Sequence, residues 1–203
     1  MPNENDSAIL RDSRDNQEYT VAKVNDTYWM TKNLNLSGGR TLTSSDSNVT
    51  SNYSLPSSST TGFSDNNTAY VYNSGSTTCS STSPCYSYYS FMAATAGTGG
   101  TSKTSGDVSQ GICPKGWRLP TLTEVSTFRT NTNNTVMTNI WLAVKAGEYY
   151  NSNFRNGGSN GYWWSSTVSD ASRAYSMDFG VGGGTYVSSG KPYGHSIRCI
   201  ANI

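Results

Sequence analysis

Residues 161–203, GYWWSSTVSDASRAYSMDFGVGGGTYVSSGKPYGHSIRCIANI, decide how the rest of the chain is interpreted. This stretch begins with an aromatic, β-favouring run and ends with an alternating run that contains Cys199. Small, polar and glycine residues with few packing demands lie between the two runs. We therefore predict two scaffold strands that frame an exposed surface.

Three or four antiparallel strands are expected in this stretch, with the sequences YWWSSTV, AYSMDF, TYVSS and HSIRCI. Trp163 and Trp164 are adjacent in the first strand and must point to opposite faces, so at least one of them belongs to the core. The run Gly182-Gly183-Gly184 lacks the lysine and the strand-to-helix context of a phosphate-binding loop. We interpret it as a hairpin loop.

The chain has 203 residues, enough for one ordinary domain with its own core. We expect a single domain over residues 1–203, with residues 1–10 as a flexible N-terminal end. Fourteen basic and thirteen acidic residues leave a net charge of +1 without a basic run, which argues against nucleic acid as a partner. No run of about 18 apolar residues occurs, so direct membrane insertion is not expected.

Only 13% of the residues are charged, and Ser, Thr, Asn, Gly and Tyr are abundant, which is a composition often found in exported proteins. The sequence contains no signal peptide. We expect that a leader ahead of Met1 has been removed and that the protein is extracellular or at the cell surface.

The four cysteines allow three pairings, and the lack of a CxxC motif or a Cys/His cluster argues against zinc. The favoured pairing joins Cys79 to Cys85 across a small loop and leaves Cys113 for Cys199. A bond that closes the longer loop would contribute about 4 kcal/mol. The alternative is four buried free thiols in a cytosolic protein.

The N-terminal part is predicted to be a hairpin followed by irregular chain. Residues 19–24 and 27–30 favour strands and flank the turn pair Asn25-Asp26, and Trp29 is the expected core anchor. Residues 36–68 carry isolated apolar side chains without a period, which predicts an irregular excursion held to the core by those few side chains.

The middle of the chain is predicted to combine a strand, three short helices, a flexible connector over residues 97–111 and a rigid segment. A strand over residues 69–72 precedes a short helix within residues 86–96. Residues 112–121, ICPKGWRLPT, form a rigid segment that leads to a T-x-x-E capping box at Thr121 and Glu124, where a helix begins. A second amphipathic helix is expected over residues 136–144. The predicted class is α+β, with short helices packed on a mostly antiparallel sheet.

Several motifs occur in order along nearly the whole chain. They are Asp12 with Arg14-Asp15, YWMTKNL at 28–34, Ala93-Ala94, CPKGWRLPT at 113–121, YWWSST at 162–167 and SIRC at 196–199. In these motifs the sequence resembles the Fibrobacter succinogenes major paralogous domain family, which is common in bacterial surface proteins and placed among C-type-lectin-like folds.

This resemblance implies a C-type-lectin-like fold, with a short antiparallel sheet in which the two termini pair. It further implies that two helices flank the sheet and that the last strands, within residues 161–203, carry a ligand surface. It also gives a reason for a bond between Cys113 and Cys199, which would hold the segment before the helix against the final strand.

A second resemblance concerns the C-terminal segment. Variable proteins of diversity-generating retroelements often use this fold and vary such a segment within a frame that resembles WSST on one side and S-x-R-C on the other. Mutated template adenines cannot yield Met, Lys, Gln, Glu or Trp, and only Met177 and Lys191 between Val168 and His195 are of these types. Because the five types make up 22 of 203 residues, a window of 28 would hold about three by chance, and the count alone does not discriminate.

The candidate ligand-binding residues lie in this segment. Tyr and Arg supply contact area and directional donors, while Ser and Gly allow close approach, a mixture that binding loops favour. The alternative for each residue is ordinary strand or turn surface. The candidates are Val168, Asp170, Ala171, Ser172, Arg173, Ser176, Asp178, Gly180, Val181, Gly183, Thr185, Tyr186, Ser188, Ser189, Tyr193 and His195.

No cofactor is expected, and a structural calcium ion is the alternative. A calcium-dependent sugar site of the lectin type would need an EPN or QPD motif and a WND triplet, because Ca²⁺ requires several oxygen ligands, and none of these motifs occurs. Asp46, Asp65, Asp107 and Asp178 are candidate calcium ligands, but isolated aspartates in polar loops are more often turn residues.

Catalytic motifs are absent from the sequence. There is no GxSxG, HExxH or paired-glutamate pattern, and His195, the single histidine, is interpreted as a surface residue. Related lectin-fold oxidases that make formylglycine use a reactive cysteine pair, whereas Cys113 and Cys199 are better explained as structural. We expect a non-catalytic protein that binds an unknown protein or cell-surface ligand. The alternatives are an invariant structural or carbohydrate-binding module of a bacterial surface assembly and a formylglycine-type enzyme.

Overall fold

Strands dominate the computed structural model, which describes residue 3 and residues 6–132, 135–141, 143–180 and 185–202. The helices are few, as the predicted α+β class allows: α1 Phe91–Ala94, α2 Leu122–Asn131 and a π-helix over Val136–Ile140. In chain order the strands are β1 Ser7–Arg11, β2 Glu18–Val24, β3 Thr27–Met30, β4 Thr41–Leu42, β5 Ser47–Asn48, β6 Tyr53–Ser54, β7 Val71–Asn73, β8 Ser87–Tyr89, β9 Gly106–Asp107, β10 Gly111–Pro114, β11 Glu148–Tyr150, β12 Asn153–Arg155, β13 Gly161–Val168, β14 Arg173–Phe179, β15 Thr185–Gly190 and β16 Ile200–Asn202.

The first four-stranded sheet has the order β1-β2-β3-β16, so strands near the two ends of the chain lie side by side. β2 and β3 form the predicted hairpin, and Asn25 and Asp26 have φ values of 50° and 57°, as a two-residue turn with two left-handed positions requires. β1 pairs antiparallel with β2 over its whole length. Residues 7–10 of the expected flexible end therefore lie in a paired strand.

The second four-stranded sheet has the order β15-β14-β13-β9 and contains three of the predicted C-terminal strands. The fourth predicted strand, over residues 195–200, is wrong in its extent. His195 and Ser196 make only single bridges, to Tyr89 and Trp163, and the last strand begins at Ile200. This segment passes from one sheet to the other, so successive residues pair with different neighbours.

The helices differ from prediction in two places. Residues 87–89 form β8 instead of a helix, because Tyr88 and Tyr89 are fully buried against β7 and only the four residues of α1 are helical. The second helix is predicted over residues 136–144, and the π-helix covers residues 136–140 of that range. Gly147, with φ of 69°, precedes β11. No helix in the described ranges is long and apolar enough to cross a membrane.

The predicted capping box starts α2. The Thr121 side chain accepts a hydrogen bond from the Glu124 backbone, and the Glu124 carboxylate accepts one from the Thr121 backbone N–H at 2.8 Å. Arg118 donates to the same carboxylate at 2.5 Å and 2.8 Å. The helix therefore begins on the rigid segment that precedes it, as the sequence predicts.

The core divides between the two faces of the second sheet. Trp164 packs in a cluster with Phe91 and Ile197, while Trp163 packs with Phe128 of α2 and with Trp141, so both tryptophans are core residues. The excursion over residues 36–68 is irregular apart from the two-residue strands β4, β5 and β6. As predicted, a few buried apolar side chains hold it to the core, namely Leu36, Leu42, Val49, Leu55 and Phe63.

Both favoured disulfides are present. Cys79 and Cys85 have Cα atoms 4.9 Å apart, and the Cα atoms of Cys113 and Cys199 are 5.9 Å apart. The second bond joins β10, before α2, to the residue preceding β16. All four cysteines are paired, so the alternative of free thiols is wrong.

Candidate ligand-binding cleft

One asparagine joins the two halves of the frame, which we define as residues 162–167 and 196–199. The Oδ1 atom of Asn33 accepts hydrogen bonds from Nε1 of Trp163 and from Nε of Arg198, both at 2.8 Å. Its Nδ2 atom donates to Oγ of Ser196 at 3.0 Å. The segment between the two halves therefore starts and ends at fixed, buried positions.

Arg198 lies in the interior of the frame. Its guanidinium carbon is 4.0 Å from the centroid of the Trp141 ring and 5.3 Å from that of Trp163, and it donates to the Trp141 carbonyl. Burial lowers the pKa of Arg198 to about 9, so the charged form still predominates at neutral pH. Cation–π contacts and hydrogen bonds replace the water that this charge has lost.

Alternation along β13, β14 and β15 creates two different faces. Tyr162 lies opposite Asp178, and Ala174 lies opposite Ser189, so these side chains share one face of the sheet. The other face carries Trp163, Met177 and Phe179 and packs against α2 and the π-helix. Around Tyr162 and Asp178 the first face is the floor of a cleft, whereas Trp164, on the same face, packs against Phe91 of α1.

The cleft has a volume of about 510 Å³. Its floor belongs to β13, β14 and β15, and its walls come from β11, from the irregular excursion and from the turn that follows β15. The lining residues are Ser64, Asn66, Glu148, Tyr150, Tyr162, Ser172, Arg173, Asp178, Val187, Ser188, Ser189, Gly190, Pro192 and Tyr193.

Two tyrosines form an aromatic wall on one side of the cleft. The ring centroids of Tyr150 and Tyr193 are 4.4 Å apart. The guanidinium carbon of Arg155 lies 4.9 Å from the first ring and 5.0 Å from the second. Nε of Arg155 also donates to Oε1 of Glu148 at 2.9 Å, which fixes the arginine on the wall.

Glu148 connects this wall to a buried histidine. Its Oε2 atom is 3.0 Å from Nε2 of His195, and its side chain is only 7% exposed. Burial by itself would raise the pKa of Glu148, but the hydrogen bond with His195 and the charges of His195 and Arg155 outweigh it, so the pKa lies below its ordinary value. We therefore treat Glu148 as an ionised anchor.

His195 lies under the cleft and has no access to solvent. Its ring stacks between Tyr162 and Trp164, at centroid distances of 5.1 Å and 4.3 Å. Its Nδ1 atom has no hydrogen-bond partner in the part of the chain that the structure describes. The interpretation of His195 as a surface residue is wrong, because stacking and the pair with Glu148 draw the ring inside.

The Tyr162 hydroxyl lies in a negative field. Burial is the largest cause that raises its pKa to about 12, and the charges of Glu148 and Asp178 add to it. Nδ2 of Asn156 donates to this hydroxyl at 3.1 Å. The phenol therefore stays neutral at physiological pH.

The structure brings six of the sequence-predicted residues into the cleft and places the others elsewhere. Those in the cleft are Ser172, Arg173, Asp178, Ser188, Ser189 and Tyr193. Asp170 and Ala171 lie in the turn before β14, Gly180 follows β14, and Tyr186, 48% exposed, lies on the opposite face of the sheet. Val168, Ser176 and His195 are buried, which removes them from direct contact with a ligand in this conformation. Val181 and Gly183 lie outside the described residues, and only the backbone of Thr185, in β15, is described.

Sequence reasoning missed the residues that line the cleft from outside the predicted segment. Glu148 and Tyr150 come from the β11–β12 hairpin, and Ser64 and Asn66 come from the irregular excursion. No motif marks any of these four in the sequence. Tyr162 was recognised only as part of the frame, although its position opposite Asp178 places it on the cleft floor.

The candidate calcium ligands are separated from one another and serve local hydrogen bonds. Asp46 accepts from Thr43, and Asp65 accepts from Thr68, both within turns. Asp107 accepts from Thr167, and Asp178 accepts from Asn160. Among the described residues, no group of three or more His, Cys, Asp or Glu side chains is arranged to hold a metal ion.

No protein-family model, curated protein or solved structure matches this chain.

Proposed function

We propose that this chain is a non-catalytic, ligand-binding protein displayed at the cell surface, and that a retroelement diversifies its C-terminal binding surface. One observation carries the proposal: a cleft of about 510 Å³ is floored by β13, β14 and β15, within the segment that the sequence singles out. The cleft holds tyrosine, serine and arginine side chains, which are residue types that binding surfaces favour.

The frame supports a role for the segment as a replaceable surface. Its two halves are held by Asn33, by the hydrogen bond from Nε1 of Trp164 to the Tyr89 carbonyl at 2.7 Å and by the bond between Cys113 and Cys199. None of these contacts involves a side chain that lines the cleft floor. Substitutions on the floor would therefore leave the contacts that fix the frame in place.

Met177 and Lys191, the two residues that template-adenine mutagenesis cannot create, are both structural. Each is only 1% exposed. Met177 packs in the helix-facing core cluster, and Nζ of Lys191 donates to the carbonyls of Gly100 and Lys103, both at 2.8 Å. This agrees with a segment in which core positions stay fixed and cleft positions vary.

The fold expected from the resemblance forms part of the proposal. A C-type-lectin-like fold would account for the pairing of terminal strands in one sheet, α2 and the π-helix on one face of the second sheet and a ligand cleft on the last strands. Two disulfides suit an extracellular protein, since such bonds persist in oxidising compartments. The pairing of all four cysteines also argues against a reactive cysteine pair of the formylglycine type.

The proposal is tested by sequencing sibling copies of the gene from one population together with the flanking locus. We expect substitutions to concentrate between Val168 and His195, mainly at residues that line the cleft, and to spare Met177 and Lys191. A reverse transcriptase and a near-repeat of the segment should lie nearby. Differences scattered over the whole chain, or a locus without these elements, would overturn diversification and favour an invariant structural or carbohydrate-binding module.

A further inference from the structure

The cleft contains two pairs that each combine a carboxylate with an aromatic ring. In the first, Arg155 lies over Tyr150 and Tyr193 and donates to Glu148. The guanidinium of Arg155 thus binds between this carboxylate and these rings. An arrangement of this kind therefore accepts a cation. Aromatic faces and carboxylates both attract cations.

The second pair is formed by Tyr162 and Asp178 on the cleft floor, directly opposite each other in β13 and β14. One face of the Tyr162 ring is stacked on His195. Within the described ranges, Asp178 has no ion pair and no cation lies over the Tyr162 ring. The hydrogen bond that Asp178 accepts comes from Nδ2 of Asn160 at 2.9 Å, which is a neutral donor.

The charges around this second pair favour a cation. Burial is the largest cause of the raised pKa of Tyr162; the carboxylates of Glu148 and Asp178 raise it further, and the charge of Arg155 opposes them more weakly, so the net field at the ring attracts positive charge. Arg173 also lines the cleft, but it lies five residues from Asp178 along β14, a separation of about 17 Å. It does not neutralise Asp178 over that distance in solvent.

We propose that Tyr162 and Asp178 form a seat for a cationic side chain, an arginine or a lysine, of the protein that the cleft binds. The inference rests on the proposed function and deepens it, because it assigns the partner's chemistry at one position. The partner inserts its cation between the carboxylate and the open side of the tyrosine ring, as Arg155 does on the neighbouring wall.

The test uses the full chain and a small probe, N-acetyl-L-arginine methylamide, followed by amide NMR. The side-chain amide of Asn160 is the local reporter, since it donates to Asp178. We expect a saturable shift with a dissociation constant in the millimolar range. The uncharged isostere N-acetyl-L-citrulline methylamide should produce no saturable shift, because it offers the same shape without the charge.

Two variants and one control locate the seat. Asp178→Asn and Tyr162→Leu should each weaken probe binding about fivefold or more, through loss of the carboxylate and of the ring face respectively. Asp26→Asn removes a carboxylate from a turn of the first sheet and should bind the probe as the unmodified chain does. Thermal melts identify a variant that fails to fold. If one does, probe binding by the other variant decides the test.

Three results would overturn the seat. The first is no saturable shift below about 50 mM probe, and the second is an Asp178→Asn variant that binds the probe as tightly as the unmodified chain does. The third is a saturable shift of the same signals by methyl α-D-glucoside but not by the arginine probe. The last result would favour a saccharide ligand. Because sibling sequences test diversification without any ligand, failure of the seat and failure of the proposed function are distinguishable.

Discussion

His195 and Glu148 form a buried pair beneath the cleft, with 3.0 Å between Nε2 of the imidazole and Oε2 of the carboxylate. The residues are 47 positions apart in the chain. The pair joins the C-terminal segment to the β11–β12 hairpin, and Arg155 extends it to the aromatic wall. The position of the wall therefore depends on a polar contact in the interior.

Replacing His195 with phenylalanine should destabilise the protein by about 1–3 kcal/mol, because Glu148 loses a buried donor while the stacked ring is kept. Urea unfolding measures the change. Tyr186→Phe, at an exposed position, should stay within about 0.5 kcal/mol of the unmodified chain. Equal effects of the two variants would show that the pair contributes nothing.

The stability of the protein should fall in acid partly because of Glu148. Its folded-state pKa lies below the ordinary value, so its contribution is present above the unfolded pKa of about 4.3 and is lost as the pH falls through the folded pKa. Glu148→Gln should lower the free energy of unfolding at pH 7. It should also make that free energy depend less on pH between about pH 5 and pH 3. Urea unfolding at several pH values tests this, with Glu18→Gln at an exposed position as the control. If Glu148→Gln loses as much stability between about pH 5 and pH 3 as the unmodified chain does, the prediction is contradicted.

Asn33→Ala should lower the free energy of unfolding by about 2–4 kcal/mol, because it removes the side-chain oxygen that accepts hydrogen bonds from Trp163 and Arg198. The matched control is Asn153→Ala, since Asn153 is exposed and its side-chain amide donates to the nearby Asn151 carbonyl. Chemical denaturation should separate the two variants clearly. If Asn33→Ala unfolds at the same urea concentration as the control, Asn33 does not hold the frame.

The two disulfides should contribute unequally. Removing the Cys113–Cys199 bond by a double Cys→Ser change should cost about 4 kcal/mol, against about 2 kcal/mol for the Cys79–Cys85 bond, because the loops span 86 and 6 residues. Thermal and urea unfolding of both double variants tests the order. Thiol titration of the unfolded, non-reduced chain should find no free thiol, and a reactive thiol would contradict the pairing.

Local patterns predicted much of the framework. The turn pair Asn25-Asp26 positioned a hairpin, and the spacing of Thr121 and Glu124 positioned the start of α2. In both cases the deciding interaction joins residues at most three positions apart, so the sequence contains it directly. The pairing of the cysteines followed because one close pair left a single partner for each remaining residue.

The cleft could be predicted only in part. Six of the residues singled out in the segment 168–195 line the cleft, but alternation and strand register decide which side chains face it, and Tyr162 of the floor lies outside that segment. Ser176 and His195 are polar and look exposed in the sequence, yet both are buried. Tyr150 and Asn66 line the cleft without any sequence signal.

The sequence by itself determined β13, β14 and β15, the capped helix, the frame motifs and the close Cys79–Cys85 pair, because each depends on residue type and short spacing; that pair left Cys199 as the partner of Cys113. Only the tertiary structure decided that Tyr162 and Asp178 face a common cleft and that the hairpin carrying Glu148 and Tyr150 forms its wall. Those contacts join segments far apart in the chain, and their geometry depends on how the two sheets and the irregular excursion pack around one core.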